Sequence, residues 1–297
     1  MLVVAQSEWE LPSLTKSIDS LVEDIYNLLD EDTHHEPSEE NLKWIGEAVV
    51  ALLRSRLSAR EREAATLRFS SLGKPDRQLW YATHAADKAE RLSSKTYFKF
   101  LYGDMIELLL LFLAKEAGHE VTHEQTEVEV DGIKGHCDAV IDGVTVDAKS
   151  ASPFGFNKFV SGDYVTNDPF GYVKQIAGYR YALKTERAGF LVADKVHGDI
   201  AFVEPSAKVL AENEPASRIQ HLRGVLASET EPPRCYPDKP EGSSGNRILG
   251  VGCSYCAFKQ HCWRDANNGE GLRTFVYSNG PKFFTTVKKE PRVQEDW

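Results

Sequence analysis

Three acids and a lysine in the middle of this chain have the residue types and spacing to hold a divalent metal beside a phosphate. Asp138 is followed nine residues later by Asp147-Ala148-Lys149, and Glu107 stands upstream. Carboxylate oxygens suit hard cations such as Mg2+ and Mn2+. A cation held there lowers the pKa of a water and clamps phosphate oxygens, and a neighbouring ammonium meets the charge that develops. An isolated D-x-K is common by chance and is most often a solvated strand edge. Two acids and a lysine split across a tight hairpin are far less common.

The elements that must position these residues are legible around them. Residues 124–130 alternate in character, as a half-buried strand does, and Asp131-Gly132 turns the chain. Residues 134–141 read as a second strand and 144–150 as its return, joined by Asp142-Gly143, a strong hairpin signal. Asp147 and Lys149 are two apart, so they share a face, and Asp138 approaches them across the hairpin. His136 is expected on the face of Asp138, as a supporting donor or a structural histidine. Residues 98–120 read as a helix stopped near Gly118, with Glu107 beside the apolar run 108–113. A carboxylate buried there needs a partner. A second helix spans 171–184 and places Gln175 and Tyr179 four apart on one face.

Gly103-x-x-x-Glu107, Asp138, Asp147-x-Lys149 and Gln175-x-x-x-Tyr179 occur in the order seen in PD-(D/E)xK nucleases. Over roughly residues 68–265 the chain resembles the branch containing lambda exonuclease, the YqaJ recombinases and the RecB nuclease domain. RecB-type members carry a histidine four residues after the glycine; here that residue is Glu107, as in the lambda/YqaJ pattern. The resemblance implies an α/β fold, a restriction-endonuclease-like mixed β-sheet flanked by helices. It implies that Glu107, Asp138, Asp147 and the carbonyl of Ala148 bind Mg2+ or Mn2+. Lys149 would then orient the attacking water, and Gln175 and Tyr179 would position the strand or the water. DNA is the implied substrate, and a recombinase or single-strand-binding protein an implied partner. The phrases at 168–179 and 275–281 look like those of bacteriophage-encoded members. Exonuclease activity on linear DNA is the leading expectation. A structure-specific or restriction-like endonuclease and a non-catalytic DNA-binding or assembly protein are the alternatives.

Cysteine is the second strong signal. Cys253, Cys256 and Cys262 form C-x2-C-x5-C, with Cys235 upstream as the natural fourth ligand. Cys137 lies in the strand before Asp138 and reads as a small buried thiol. No secretory signal is visible, so a disulfide framework is not expected and the setting is cytoplasmic, in the host if phage-encoded. The spacing also resembles the iron–sulfur staple of RecB-family nucleases, whose first cysteine lies far upstream. Residues 71–81 have the frame of that upstream segment, but Pro75 stands where the cysteine is expected. Four cysteines suit either Zn2+ or a 4Fe-4S cluster. Arg77, in the same segment, is a candidate phosphate contact, with a surface salt bridge as the alternative.

At 297 residues and 41% hydrophobic content, the chain can bury a substantial core. No apolar run approaches the length of a membrane span. The net charge of −10 is concentrated in residues 1–50, which hold 12 acids and 2 basic residues; the remainder holds 33 of each. The expected organisation is an acidic helical region (1–67), a nuclease core (68–230), a cysteine metal-binding segment (231–265) and a tail with a hairpin near Asn279-Gly280 (266–297). Amphipathic residues at 17–30 and a helix at 41–57 suit a helical cap, or an acidic arm that repels DNA or docks a partner. Residues 152–172 read as a loop over the site, with rings able to stack on unpaired bases and with Lys158; Lys174 follows as a second phosphate contact. A hairpin over 188–204 and one helix over 205–226 complete the reading.

Overall fold

Two Asp-Gly turns set the central strands. Asp131-Gly132 and Asp142-Gly143 all take positive φ, the conformation that a two-residue hairpin of matching twist requires. The computed structural model describes residues 16–58, 67–91 and 93–296. Residues 1–15 and 59–66 of the acidic N-terminal region lie outside the described residues.

The first half runs α1 (Leu21–Leu29), α2 (Glu39–Leu57), α3 (Asp76–His84), α4 (Ser94–Glu116), β1 (Val121–Thr122), β2 (Thr126–Val130), β3 (Ile133–Cys137), β4 (Ala139–Ile141) and β5 (Val144–Ala151). The second runs α5 (Pro153–Val160), α6 (Asp163–Thr166), α7 (Tyr172–Leu183), β6 (Ala188–Asp194), β7 (Ile200–Val203), α8 (Ala207–Glu212), α9 (Pro215–Ala227), β8 (Lys239–Pro240) and β9 (Arg247–Ile248). Short turns α10 (Val251–Ser254) and α11 (Lys259–Cys262) precede β10 (Arg273–Tyr277), β11 (Gly280–Thr286) and β12 (Glu295–Asp296).

The central sheet has the order β1-β4-β5-β6-β7. Only β5 and β6 pair in parallel, bridged by α5–α7; the other neighbours are antiparallel. This is an α/β fold, a mixed sheet flanked by helices. Period-two alternation divides β5 between two cores. Val144, Val146 and Ala148 pack with Leu110, Leu111 and Ala114 of α4 and with Leu21 and Ile25 of α1. Ala151 packs on the other side with Val173, Ile176 and Ala177 of α7. Asp147 and Lys149 share the alternation of Ala151. Helix α1 is therefore a cap built into the core: Ile18, Leu21 and Ile25 are buried, while Leu29 is exposed. Gly118, at φ 82°, ends α4 as expected.

Three expectations are corrected. Residues 134–141 are not one strand. The chain pairs with β2 up to Cys137, then changes sheets at Asp138 and pairs with β1 and β5 from Ala139. The carbonyl of Asp138 accepts from the backbone N–H of Gln125 at 3.1 Å instead of continuing a ladder. Residues 152–172 are not an open loop. Ser152 caps α5, its hydroxyl accepting from the Gly155 N–H at 3.2 Å, with Pro153 at the first position. Phe159 and Tyr164 pack on Phe190 and hold α5 and α6 down. The single helix over 205–226 is two, because Pro215 requires an extended Glu214 before it (ψ 141°) and starts α9 afresh.

The expected tail hairpin forms as β10 and β11, and it joins a second five-stranded sheet of order β12-β10-β11-β9-β8. The cysteine turns α10 and α11 lie in the chain between β9 and β10 of that sheet.

One close approach ties α3 to α7. A Cβ on Gly73 would lie 2.1 Å from Gly171 Cα, and Gly171 itself has φ 79°. Gly73 needs no special φ, so Gly73→Ala tests packing alone. It should cost about 2–3 kcal/mol by overpacking, read as a lower urea midpoint at unchanged slope. A midpoint equal to wild type would show that this contact yields freely.

Candidate active site

The register of β4 and β5 builds the site. Ala139 pairs with Val146 and Val140 with Thr145, so Asp138 falls opposite Asp147 at the end of the ladder. Directly opposed residues of an antiparallel pair share a face, with Cβ atoms about 5 Å apart. Asp138 is fixed there by its own carboxylate, which accepts from the Ala148 N–H at 2.9 Å. Lys149 forms an ion pair with Asp147, and its ammonium lies 3.5 Å from the Ala148 carbonyl. Glu107 enters from α4, where Gln125 donates to its carboxylate at 2.5 Å.

Asp147 is 1% exposed, and neither of its carboxylate oxygens has a hydrogen-bond partner of ordinary geometry. Among the described residues, Lys149 is the one cation that forms an ion pair with it. The neighbouring acids feel the crowding. Burial, then Asp138, push the Glu107 carboxyl up to about 9, while Lys149 pulls against the shift. Burial, then Asp147, push Asp138 up to about 7, opposed by Lys149 and the Ala148 N–H. For Lys149 burial disfavours the charge, but Asp147 and Asp138 outweigh it and hold the ammonium charged.

Gln175 and Tyr179 of α7 reach the same region. Gln175 donates to the Tyr179 hydroxyl at 3.3 Å, and Tyr179 is buried against Phe69. Burial raises the Tyr179 hydroxyl, with Asp147 and Asp138 adding to the shift. The ring of Tyr172, at the start of α7, lies 5.5 Å from the Lys149 ammonium. Asp104, one turn before Glu107, adds negative potential on both Glu107 and Asp138. Its carboxylate is held by Arg56 of α2, one contact being 2.8 Å. Only an i, i+3 spacing to Glu107 hinted at it.

Other candidates are placed elsewhere. His136 is exposed and lies 4.0 Å from Glu127 of β2, because the sheet change at Asp138 turns it outward. Lys174 donates to Asn213 at 3.1 Å, a packing contact with the end of α8. Arg77 takes the salt-bridge alternative in this structure. It donates to Cys262 Sγ at 3.2 Å and pairs with Glu231, which uses its guanidinium inside the protein. Lys158 remains beside the site, in a cleft of about 730 Å3 that begins at Lys149.

Cys235, Cys253, Cys256 and Cys262 all line one small cavity, with Pro75 and Arg77. The backbone N–H groups of Gln78 and Arg77 approach the Cys235 thiol, so Cys235 stands against the segment where an upstream cysteine was expected. Burial first, then mutual repulsion, push Cys253 up to about 12; burial pushes Cys256 up to about 11. Cys137 is a separate buried thiol. Among the described residues, the ligating side chains that already lie within 4.8 Å of one another are Asp194, His197 and Asp199, at the β6–β7 turn. There Asp194 is spent on the Val196 N–H and His197. Neither the acids nor the cysteines form so tight a group.

No family model matches the chain, and no curated protein does. Solved structures match loosely. The protein SSO0001 aligns at 16% identity and TM-score 0.42, over 73% of this chain and 93% of its own. A phage-related exonuclease from Haemophilus somnus aligns at 14% identity and TM-score 0.39, over 55% and 94%. The alkaline exonuclease of Laribacter hongkongensis in complex with dAMP aligns at 13% identity and TM-score 0.37, over 60% and 94%. At this level of similarity none of them bears on what this chain binds or does.

The raised acids have a consequence for stability. In the folded protein Glu107 and Asp138 keep protons to about 9 and 7, against ordinary values of 4.5 and 3.8. Between those limits the folded state binds more protons than the unfolded state, so stability falls as pH rises. Without added divalent cation, the melting temperature should fall between about pH 4.5 and 9, and Glu107→Gln should flatten the upper part. Added Mg2+ or Mn2+ should restore stability most at high pH, whereas a cation-insensitive profile would count against a metal here.

Proposed function

We propose that this protein is a divalent-metal-dependent deoxyribonuclease that acts as an exonuclease on linear DNA. The observation that carries the reading is the crowding at Asp147: a buried carboxylate faced by Asp138, neighboured by Glu107 and paired with Lys149. Three carboxylates crowded around one ammonium form a site that a divalent cation would complete. The donor set fits a hard cation: carboxylate oxygens of Asp138, Asp147 and Glu107, and the carbonyl of Ala148. When bound, Mg2+ or Mn2+ would supply a more acidic water and charge neutralisation on the phosphate.

The chain's own residues would do the rest. Lys149 would exchange Asp147 for the water and the developing phosphate charge, and its ammonium stays charged for that work. Gln125 holds Glu107 until a cation competes for it. Gln175, oriented by the Tyr179 hydroxyl, would position the strand or the water. Tyr179 acts through Gln175, since its ring is buried. The expected setting is recombination, repair or degradation of DNA.

The cysteine cavity we assign to a 4Fe-4S cluster held by Cys235, Cys253, Cys256 and Cys262. A tetrahedral zinc with Zn–S bonds of about 2.3 Å brings its sulfurs to about 3.8 Å. A 4Fe-4S cluster takes the same four thiolates, and the resemblance of the C-x2-C-x5-C spacing to the iron–sulfur staple of RecB-family nucleases favours it. Its role would be structural, pinning α10 and α11 to α3 through Cys235.

Digestion of linear and covalently closed circular DNA with Mg2+ or Mn2+ tests the main reading. Loss of linear DNA alone, reduced by Lys149→Ala at least about 100-fold, is the expected result. Opening of the circle would make the enzyme an endonuclease, and no hydrolysis of either by folded protein would sink the proposal. Anaerobically purified protein should be brown, and Cys253→Ser should lose the visible absorbance; a colourless protein with stoichiometric zinc would replace the cluster.

A further inference from the structure

We infer that the cleft between α5–α7 and the cysteine segment is a base-binding groove for an unpaired DNA strand leading to Lys149. The inference rests on the nuclease reading and names the substrate form that the same site takes.

Three rings from separate parts of the chain face this cleft without being buried. Phe154 of α5 is 74% exposed, Phe170 before α7 is 41% exposed, and Tyr255 after α10 is 75% exposed. The Lys158 ammonium lies over the face of Phe154, at 5.4 Å, and Tyr255 meets Phe170 edge-on at 5.9 Å. Such rings contribute little to the core. A contiguous group of them on a cleft wall marks a surface that something else covers. The cleft is continuous with the candidate site, because Lys149 and Tyr172 form its inner end.

The chemistry selects nucleic acid bases as the occupant. Every base offers a π-face to stack on, and the two lysines stand where a phosphate backbone would pass. The acid in the cleft, Asp168, does not oppose this. Its two oxygens are spent on the N–H groups of Gly171 and Val173, at 2.8 and 2.9 Å. A volume of about 730 Å3 is that of a ligand pocket, suited to a few unstacked nucleotides rather than to a duplex. The outer wall also joins the groove to the cysteine cavity: Tyr236 borders both, and a Cβ on Gly252 would lie 2.6 Å from its ring.

The test uses the full chain with Ca2+ in place of Mg2+ and fluorescence anisotropy of three probes. These are a thymidine strand of about twelve nucleotides, an abasic deoxyribose-phosphate strand of the same length, and a blunt duplex. The thymidine strand should bind at least about tenfold more tightly than the abasic strand. Phe154→Ala and Tyr255→Ala should each weaken it about 5- to 10-fold and leave abasic binding unchanged, with Tyr255→Phe restoring wild-type affinity. Equal binding of the thymidine and abasic strands, tighter binding of the duplex, or no effect of either alanine variant would overturn the groove. Hydrolysis of bis(p-nitrophenyl) phosphate with Mn2+ reads the Asp147–Lys149 chemistry separately. If that hydrolysis persists while base-dependent binding is missing, the groove alone falls. A wild type that binds the strand but hydrolyses no diester would overturn the nuclease reading, and with it the groove's role in feeding the site.

Discussion

Burial of like charge is the constraint around which this protein is organised. Asp138 and Asp147 oppose each other at the end of one antiparallel ladder, and Glu107 arrives from the helix packed on the other face of the sheet. Water cannot screen them well: Asp147 is almost fully enclosed. One lysine offsets part of the repulsion, and the remaining strain appears as the raised carboxyls of Glu107 and Asp138. A fold stabilised for its own sake would fill such a place with apolar side chains. Under the proposed nuclease reading a cation would complete the site, and the surrounding structure supplies the rigidity that holds its acids together.

That rigidity comes from elements with separate tasks. The β5–β6 parallel pairing fixes the strand that carries Asp147 and Lys149, and α5–α7 cross over it. The Gly73–Gly171 approach sets where α7 begins, and hence where Gln175 and Tyr179 stand. On the far side, the cysteine segment contributes Tyr236 and Tyr255 to the cleft beside Lys149. The two metal-suited places are thus linked by one wall: loss of order around the thiols would be felt in the cleft without any change to the acids.

What the sequence disclosed was what local chemistry decides. Asp142-Gly143 fixes a two-residue turn, and the turn fixes the register that faces Asp138 with Asp147. Helices α4 and α7 were legible from apolar periodicity and their ends. The misses are non-local. The strand through Asp138 looked continuous because its residues suit a strand throughout; only the competing partners β1 and β2 divide it. Residues 152–172 carry glycine, asparagine and proline, yet a serine cap and two rings packed on the sheet make helices of them. The partners of Arg77 were not legible because Glu231 and Cys262 lie 154 and 185 residues away. Strands as short as β8 and β9 have no pattern to read; β9 exists through its pairing with β11, and β8 through its pairing with β9.

That same long-range contact orders events in time. The strands of the central sheet are complete by Val203, whereas α3 gains its cysteine partners only with Cys235 and the three that follow. Chains are synthesised from the N-terminus, and early parts fold first. The strands that carry the acids can therefore pair while the four thiols that come to line the cavity against α3 are still to be made.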